Sequence, residues 1–284
     1  MRGDSGQVIG VCSWSLQPAS SADLASKVRS TGVRWAQLAL DPLRRGEWGL
    51  EDTVTRLGAA GITVASGMIG MKGEDYSTLE SIRNTGGVAP DQTWPDNLAA
   101  ARGNASVARR MGVGLVTFHG GFLPHGRGDA KRGVMVKRLQ ELARVFGAEG
   151  VRVGLETGQE DAETLVGVLE EVNGPLGAAQ RVGVNFDPAN MILYGMGDPA
   201  AAAQRLASFI VQVHVKDALP TTTPGTWGTE TPAGEGAVGW PGFLDVLRKA
   251  GVRCPLMIER EGGERRVDDV TSAARLIQSA GELA

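Results

Sequence analysis

The sequence predicts an α/β protein folded as a single (β/α)8 barrel, and three observations carry that expectation. Short apolar, β-branched runs alternate eight times with longer helix-like runs over 284 residues, and such alternation gives a parallel sheet whose strands are joined by crossover helices. A glycine directly precedes a β-branched residue at Gly32-Val33, Gly61-Ile62, Gly112-Val113, Gly150-Val151 and Gly251-Val252, where a helix must stop and a strand begin. No change of composition marks a linker, and no Gly-x-Gly-x-x-Gly turn follows the first strand as in many open doubly wound sheets. Eight units without a break favour closure, so residues 1–284 are expected to form one domain.

In chain order, a polar leader precedes a buried strand at 8–16. A helix at 20–31 follows, opened by Ser and Asp and closed by Gly32. Strand 33–40, helix 50–60 and strand 62–69 repeat the unit. Residues 70–93 are too rich in Gly, Ser, Asp and Asn for a regular element and are expected to be a long loop. Helix 95–110 has a proline at its first position. It leads into strand 113–118, helix 129–146, strand 151–156, helix 161–172, strand 182–187, helix 198–208 and strand 210–215. A second long loop is expected at 218–239, then helix 241–250, strand 255–259 and helix 267–281. Loops of this length inside a compact domain tend to be functional, and both follow strands on the rim where barrel active sites lie. They are expected to cover the site.

The formal net charge of -3 provides no basic footprint for nucleic acid. No apolar run approaches the ~20 residues that span a bilayer, and MRGDSGQV lacks the apolar core of a signal peptide. The expected location is therefore the cytoplasm, with neither nucleic acid nor membrane as partner. Cys12 and Cys254 lie far apart in apolar runs and are read as reduced core residues.

At the carboxyl ends of the predicted strands stand Trp14, Met68, His119, Glu156, Asp187, His214 and Glu259. The last four end consecutive strands, so their side chains are expected to converge at one rim. Three carboxylates and one imidazole make a hard, mostly oxygen donor set for one divalent cation. Mn2+ suits it, as do Mg2+ and Co2+, and Zn2+ is compatible. Each acid alone has a plainer reading: it could cap the next helix, or pair with a cation such as Arg152 or Arg260. Four metal-type residues at four consecutive strand ends are harder to obtain by accident. His119, Lys216 and Trp14 are placed to contact a substrate, although each could equally serve hydrogen bonding or packing.

The segments GLETGQE around Glu156, NFDPANMILYGMGDP around Asp187, VHVKD around His214, WGTETPAGEG at 227–236 and MIERE around Glu259 resemble the sugar phosphate isomerase/epimerase family. These are the xylose isomerase-like TIM barrels, whose members include tagatose 3-epimerase, inosose dehydratase and hydroxypyruvate isomerase. The resemblance implies that Glu156, Asp187, His214 and Glu259 bind one divalent metal ion, and that Glu156 and Glu259 also act as acid and base. The implied activity is metal-dependent isomerisation or epimerisation of a sugar, keto-sugar or polyol through an enediolate. A lyase or dehydratase, as in inosose dehydration or 3-keto-glycoside cleavage, would use the same first step. Gln159 and Trp227 are placed near the pocket by the resemblance. Asn190 departs from it: the sugar epimerases carry a histidine there, and an amide can hydrogen-bond a hydroxyl but cannot take up a proton near neutrality. No glycine-rich phosphate loop is evident, so the expected partner is a non-phosphorylated sugar or keto-sugar; a homo-oligomer is compatible. A three-zinc nuclease on the same barrel would need many histidines, and the chain has three.

Overall fold

A computed structural model of the chain describes residues 7–223 and 225–282. The start of the polar leader at 1–6, position 224 within the second long loop, and positions 283–284 lie outside the described residues. The elements are β1 Ile9–Cys12, α1 Ser21–Ser30, β2 Trp35–Ala39, α2 Asp41–Arg44, α3 Leu50–Ala59, β3 Thr63–Met68, α4 Leu79–Thr85, α5 Trp94–Met111, β4 Leu115–His119 and α6 Ala130–Ala148. They continue as β5 Arg152–Glu156, α7 Ala162–Asn173, β6 Gly183–Phe186, α8 Pro188–Tyr194, α9 Pro199–Leu206, β7 Ile210–Val215, β8 Asp217–Leu219, β9 Thr229–Thr231, α10 Trp240–Lys249, β10 Leu256–Ile258 and α11 Arg266–Glu282.

Eight parallel strands close in the order β1-β10-β7-β6-β5-β4-β3-β2, which is the (β/α)8 TIM barrel. The outer layer of core, with Val11, Leu38, Phe118, Leu155, Phe186 and Val213 among its strand residues, is almost fully excluded from solvent. Helix ends follow the expected chemistry. Gly112 closes α5 at φ 70°, a left-handed conformation that costs glycine little.

Four expectations are corrected. The strand expected at 8–16 ends at Cys12, because Ser13–Leu16 winds into a 3-10 turn that ends on Gln17 at φ 45°. Ser13 Oγ accepts the Ala39 N–H at 2.9 Å, tying this turn to the end of β2 and carrying Trp14 to the rim. Residues 70–93 are not wholly irregular: α4 lies within them, started by a capping box between Thr78 and Ser81. The Ser- and Thr-rich composition that argued against regular structure supplies that helix cap. Residues 218–239 contain strand as well, since β8 pairs antiparallel with β9. The crossover from β6 to β7 is also two helices, α8 and α9, rather than one. Cys12 and Cys254 are both free thiols. Among the described residues no helix is long and apolar enough to cross a membrane.

Candidate metal and substrate site

Four donors meet where β5, β6, β7 and β10 end. Glu156 is the last residue of β5, and Asp187 follows β6 and caps α8, its Oδ1 accepting the N–H groups of Ala189 at 2.8 Å and Asn190 at 3.0 Å. His214 lies in β7, and Glu259 directly follows β10. His214 Nδ1 is 2.9 Å from Glu156 Oε1, 3.2 Å from Glu259 Oε2 and 3.8 Å from Asp187 Oδ2. One ligand atom from each of the four residues lies within 4.8 Å of the others. Glu156 Oε2 and Asp187 Oδ2 are buried without a hydrogen bond; His119 Nε2 sits 3.3 Å from the former but is not aligned to donate. Converging carboxylate oxygens with bare lone pairs, next to one imidazole nitrogen, fit a hard divalent cation.

The charges of the cluster hold one another in place. Burial pushes the Glu259 carboxyl up, but Lys216 and His214 outweigh it and leave its pKa well below the usual carboxylate range. Burial also raises Glu156, and His119 and His214 reverse the shift to a net lowering. In Asp187 burial wins over Lys216, and the pKa rises to about 6. His214 and Lys216 are both shifted well upward: burial opposes their charges, and Glu259 is the largest influence that overcomes it.

Above the cluster is a cavity of about 580 Å3 lined by Trp14, His119, Asn190, Lys216 and Trp227 together with Glu156 and Glu259. Trp14 Nε1–H donates to Glu259 Oε1 at 2.7 Å. Asn190 bridges the two halves of the site, its Nδ2 donating to Glu156 Oε1 at 3.2 Å and its Oδ1 accepting from Lys216 Nζ at 3.3 Å. Lys216 Nζ also reaches Glu259 Oε2 at 3.1 Å and Glu261 Oε2 at 2.5 Å. Gln159 is not among the lining residues; its Nε2 lies 3.3 Å from the hydroxyl of Tyr194, which is. Arg260 pairs with Glu230 and Asp269, so it is not the ion-pair partner of Glu259.

A family model for the xylose isomerase-like TIM barrel matches residues 25–280. The chain belongs to that family. A xylose isomerase domain protein from Planctomyces limnophilus is 32% identical, with 91% of this chain and 92% of that one covered and a TM-score of 0.84. A xylose isomerase-like TIM barrel protein from Mycobacterium smegmatis, solved in complex with magnesium, shares the fold at 16% identity, with 99% of each chain covered and a TM-score of 0.72. The rhizopine catabolism protein MocC of Rhizobium meliloti is 30% identical over 165 residues, 51% of this chain and 50% of that protein. The chain thus spans about half the length of that curated relative.

Several parts of this family barrel's pocket escaped the sequence reading. Tyr76, Tyr194, Glu230 and Glu261 line it. Glu230 accepts the N–H groups of Glu261 at 2.9 Å and Gly262 at 3.1 Å, so β9 fixes the segment that carries Glu261 beside Lys216. Tyr76 arrives from the 70–93 stretch and packs on His119 with ring centroids 6.0 Å apart. Tyr76 and Glu261 come from loops, Tyr194 from the end of α8 and Glu230 from β9, none of which strand-end counting gives. Gly158 holds the turn behind Asn190: at φ 147° a Cβ there would stand 2.6 Å from the Asn190 Cβ.

Proposed function

We propose that this protein is a divalent-metal-dependent isomerase or epimerase of a non-phosphorylated sugar, keto-sugar or related polyol. The observation that carries the reading is the convergence of Glu156, Asp187, His214 and Glu259, with two bare carboxylate oxygens, on the floor of a cavity walled by aromatic rings. A divalent cation held by these four residues would stabilise negative charge on a substrate carbonyl oxygen and its neighbouring hydroxyl. Glu156 and Glu259 come from strands separated in the barrel by β6 and β7, so they reach a bound substrate from different sides. One removes the proton α to the carbonyl and the other returns a proton. His119, Asn190 and Lys216 supply hydrogen bonds that orient substrate oxygens. Trp14 and Trp227 give the sugar ring apolar surface and help exclude water.

The charges of the wall favour an uncharged substrate. Asp41, Glu156, Glu230, Glu259 and Glu261 line the cavity, against Lys216 as its one lysine and no arginine among the described residues. Arg44 pairs with Asp41 and Arg260 with Glu230, which leaves Glu156, Asp187, Glu259 and Glu261 against Lys216 and one divalent cation, a balance with no spare positive charge for a phosphate dianion. Within the cavity Lys216 is already engaged by Glu259 and Glu261.

Incubation of the Mn2+-loaded protein with a panel of keto-sugars in deuterated water tests the reading. Solvent deuterium in recovered sugar without elimination is expected, and Glu156→Gln and Glu259→Gln should each abolish it. An unsaturated or cleaved product would instead assign a lyase or dehydratase that uses the same proton abstraction. A parent protein that binds no divalent cation would remove the proposal.

A further inference from the structure

Beneath the rim the barrel interior is polar. Strands place side chains on one face every second residue, so the layer below the rim is occupied by the residues two positions earlier. Gln37 lies below Ala39, Ser66 below Met68, Thr117 below His119, Asn185 below Asp187 and Gln212 below His214, and Cys12, the last residue of β1, stands 3.4 Å from Gln37 at the same level; all six of these lower residues are fully excluded from solvent. Such layers are commonly filled by Val, Ile and Leu, which would fill this space without desolvating amides and hydroxyls. The residues form hydrogen-bonded chains. Ser66 Oγ lies 2.6 Å from Gln212 Oε1, and Gln212 Nε2 lies 3.1 Å from Asn185 Oδ1. Gln37 Nε2 donates to Thr117 Oγ1 at 2.7 Å and to the Gly67 carbonyl at 3.3 Å.

The direction of the Gln37 amide is decided by Gly67, because a backbone carbonyl only accepts. Nε2 must face it, which turns Oε1 toward His214 Nε2 at 2.7 Å. Thr117 agrees: its hydroxyl accepts from Gln37 and has Met68 Sδ at 3.0 Å for its own hydrogen. Oε1 also only accepts, so His214 Nε2 must carry a hydrogen. Asn185 Nδ2 lies 3.0 Å from the same nitrogen. Since the Ser66 hydroxyl both donates and accepts, the Ser66–Gln212–Asn185 chain also runs in the reverse sense, which presents Asn185 Oδ1 to that hydrogen. Nδ1, on the opposite edge of the ring, faces Glu156, Asp187 and Glu259.

We propose that Gln37 is a positioning residue for the metal site, anchored by Thr117 and Gly67 so that its Oε1 keeps the His214 proton on Nε2 and leaves Nδ1 as the ligand atom. This inference rests on the metal site proposed above. Partners that fix the tautomer of a metal-binding histidine are worth about 10–100-fold in affinity. Gln37 reaches neither the cavity nor the substrate, so it acts only through His214.

The test measures Mn2+ and Mg2+ binding by calorimetry without sugar, together with proton–nitrogen imidazole spectra of the Mg2+-loaded protein, which has only three histidines to assign. Gln37→Leu is expected to weaken Mn2+ binding about 10–100-fold and to shift the Nε2–H signal of His214, whose remaining acceptor is then Asn185 Oδ1. Gln37→Glu keeps an acceptor toward His214 but loses the donor to Gly67, so it should recover part of both. If Gln37→Leu does not fold, Thr117→Val removes one of the two anchors while leaving Gln37 and should weaken binding in the same direction, by less. A Gln37→Leu protein that binds Mn2+ as tightly as the parent, or a Mg2+-loaded parent with the His214 proton on Nδ1, overturns the inference and leaves the proposed function standing. A parent that binds neither cation overturns both.

Discussion

The Lys216 ammonium lies 3.1 Å from Glu259 Oε2, and both side chains are nearly inaccessible to solvent. The same nitrogen is 3.9 Å from Asp187 Oδ2. Lys216 thus neutralises two of the carboxylates proposed to receive the cation, and ammonium and metal share one field. In Lys216→Met the metal-free protein retains Glu259 as a buried carboxylate without that partner, which is expected to cost about 3–5 kcal/mol. Added Mn2+ restores positive charge to the cluster, so the rise in melting temperature on adding it should be larger in the variant than in the parent. Melting curves in chelator and in Mn2+ check this; equal melting temperatures in chelator would refute it.

Asp187 performs two tasks with its two oxygens: Oδ1 caps α8 and Oδ2 is bare. Asn and Asp serve comparably as helix caps, and Ala costs about 1 kcal/mol. Burial raises the Asp187 pKa to about 6, so above that pH the charged form makes the metal-free fold less stable than a neutral isostere would. Metal-free Asp187→Asn at pH 7.5 should therefore melt no lower than the parent, while Asp187→Ala melts lower than Asp187→Asn. Both should bind Mn2+ more weakly. Thermal melts combined with calorimetric Mn2+ titration separate the tasks, and an Asp187→Asn protein with parental affinity would remove Asp187 from the ligand set.

The eight strands and their order were legible because β-branched runs and helix-ending glycines are local signals, and one parallel barrel satisfies all of them. Glu156, Asp187, His214 and Glu259 were legible for a related reason: position at a strand end fixes direction in this fold. Glu261 was not. It stands beyond the strand, and what holds it beside Lys216 is Glu230, on a hairpin that the Gly- and Thr-rich sequence between 218 and 239 conceals. Gln37 and Thr117 were hidden differently. A lone Gln in WAQLA or Thr in LVTFH gives no sign of pointing into the barrel until the register pairs each strand with its neighbours. Arg260 misled as a possible partner of Glu259, because its partners Glu230 and Asp269 come from separate elements.

Glu160 provides a pH dependence apart from the four donors. Burial, with the Asp161 charge adding to it, raises its pKa from 4.5 to about 8. The folded state holds this proton over a pH range where the unfolded chain has released it, so the group's contribution to stability falls as pH rises from 4.5 to about 8 and is constant above that. A shift of this size corresponds to a few kcal/mol, at about 1.4 kcal/mol per pH unit. Glu160→Gln should accordingly raise the melting temperature at pH 8.5 and have little effect at pH 4.5. Paired melts across that range test the sign, and a variant that is less stable at pH 8.5 would contradict it.

Asp217 holds the second long loop to the barrel without touching the four donors. Its Oδ1 accepts the N–H of Ala218 at 3.0 Å and of Val238 at 3.1 Å, and its Oδ2 accepts that of Gly234 at 2.8 Å. The packing there is close: a Cβ at Gly236 would stand 2.1 Å from Asp217 Oδ1. The loop delivers Trp227 and Gly228 to the cavity wall, so losing these three hydrogen bonds should loosen the wall while leaving the cluster intact. In Asp217→Ala, cleavage by a glutamate-specific protease at Glu230 or Glu235 is expected to accelerate by at least an order of magnitude, since three hydrogen bonds to a carboxylate are worth more than 1.4 kcal/mol together. Mn2+ affinity should stay near the parental value, and substrate binding should weaken. Parental protease resistance would mean that β8–β9 pairing alone secures the loop. A large loss of Mn2+ affinity would mean that loop and cluster are coupled through Lys216.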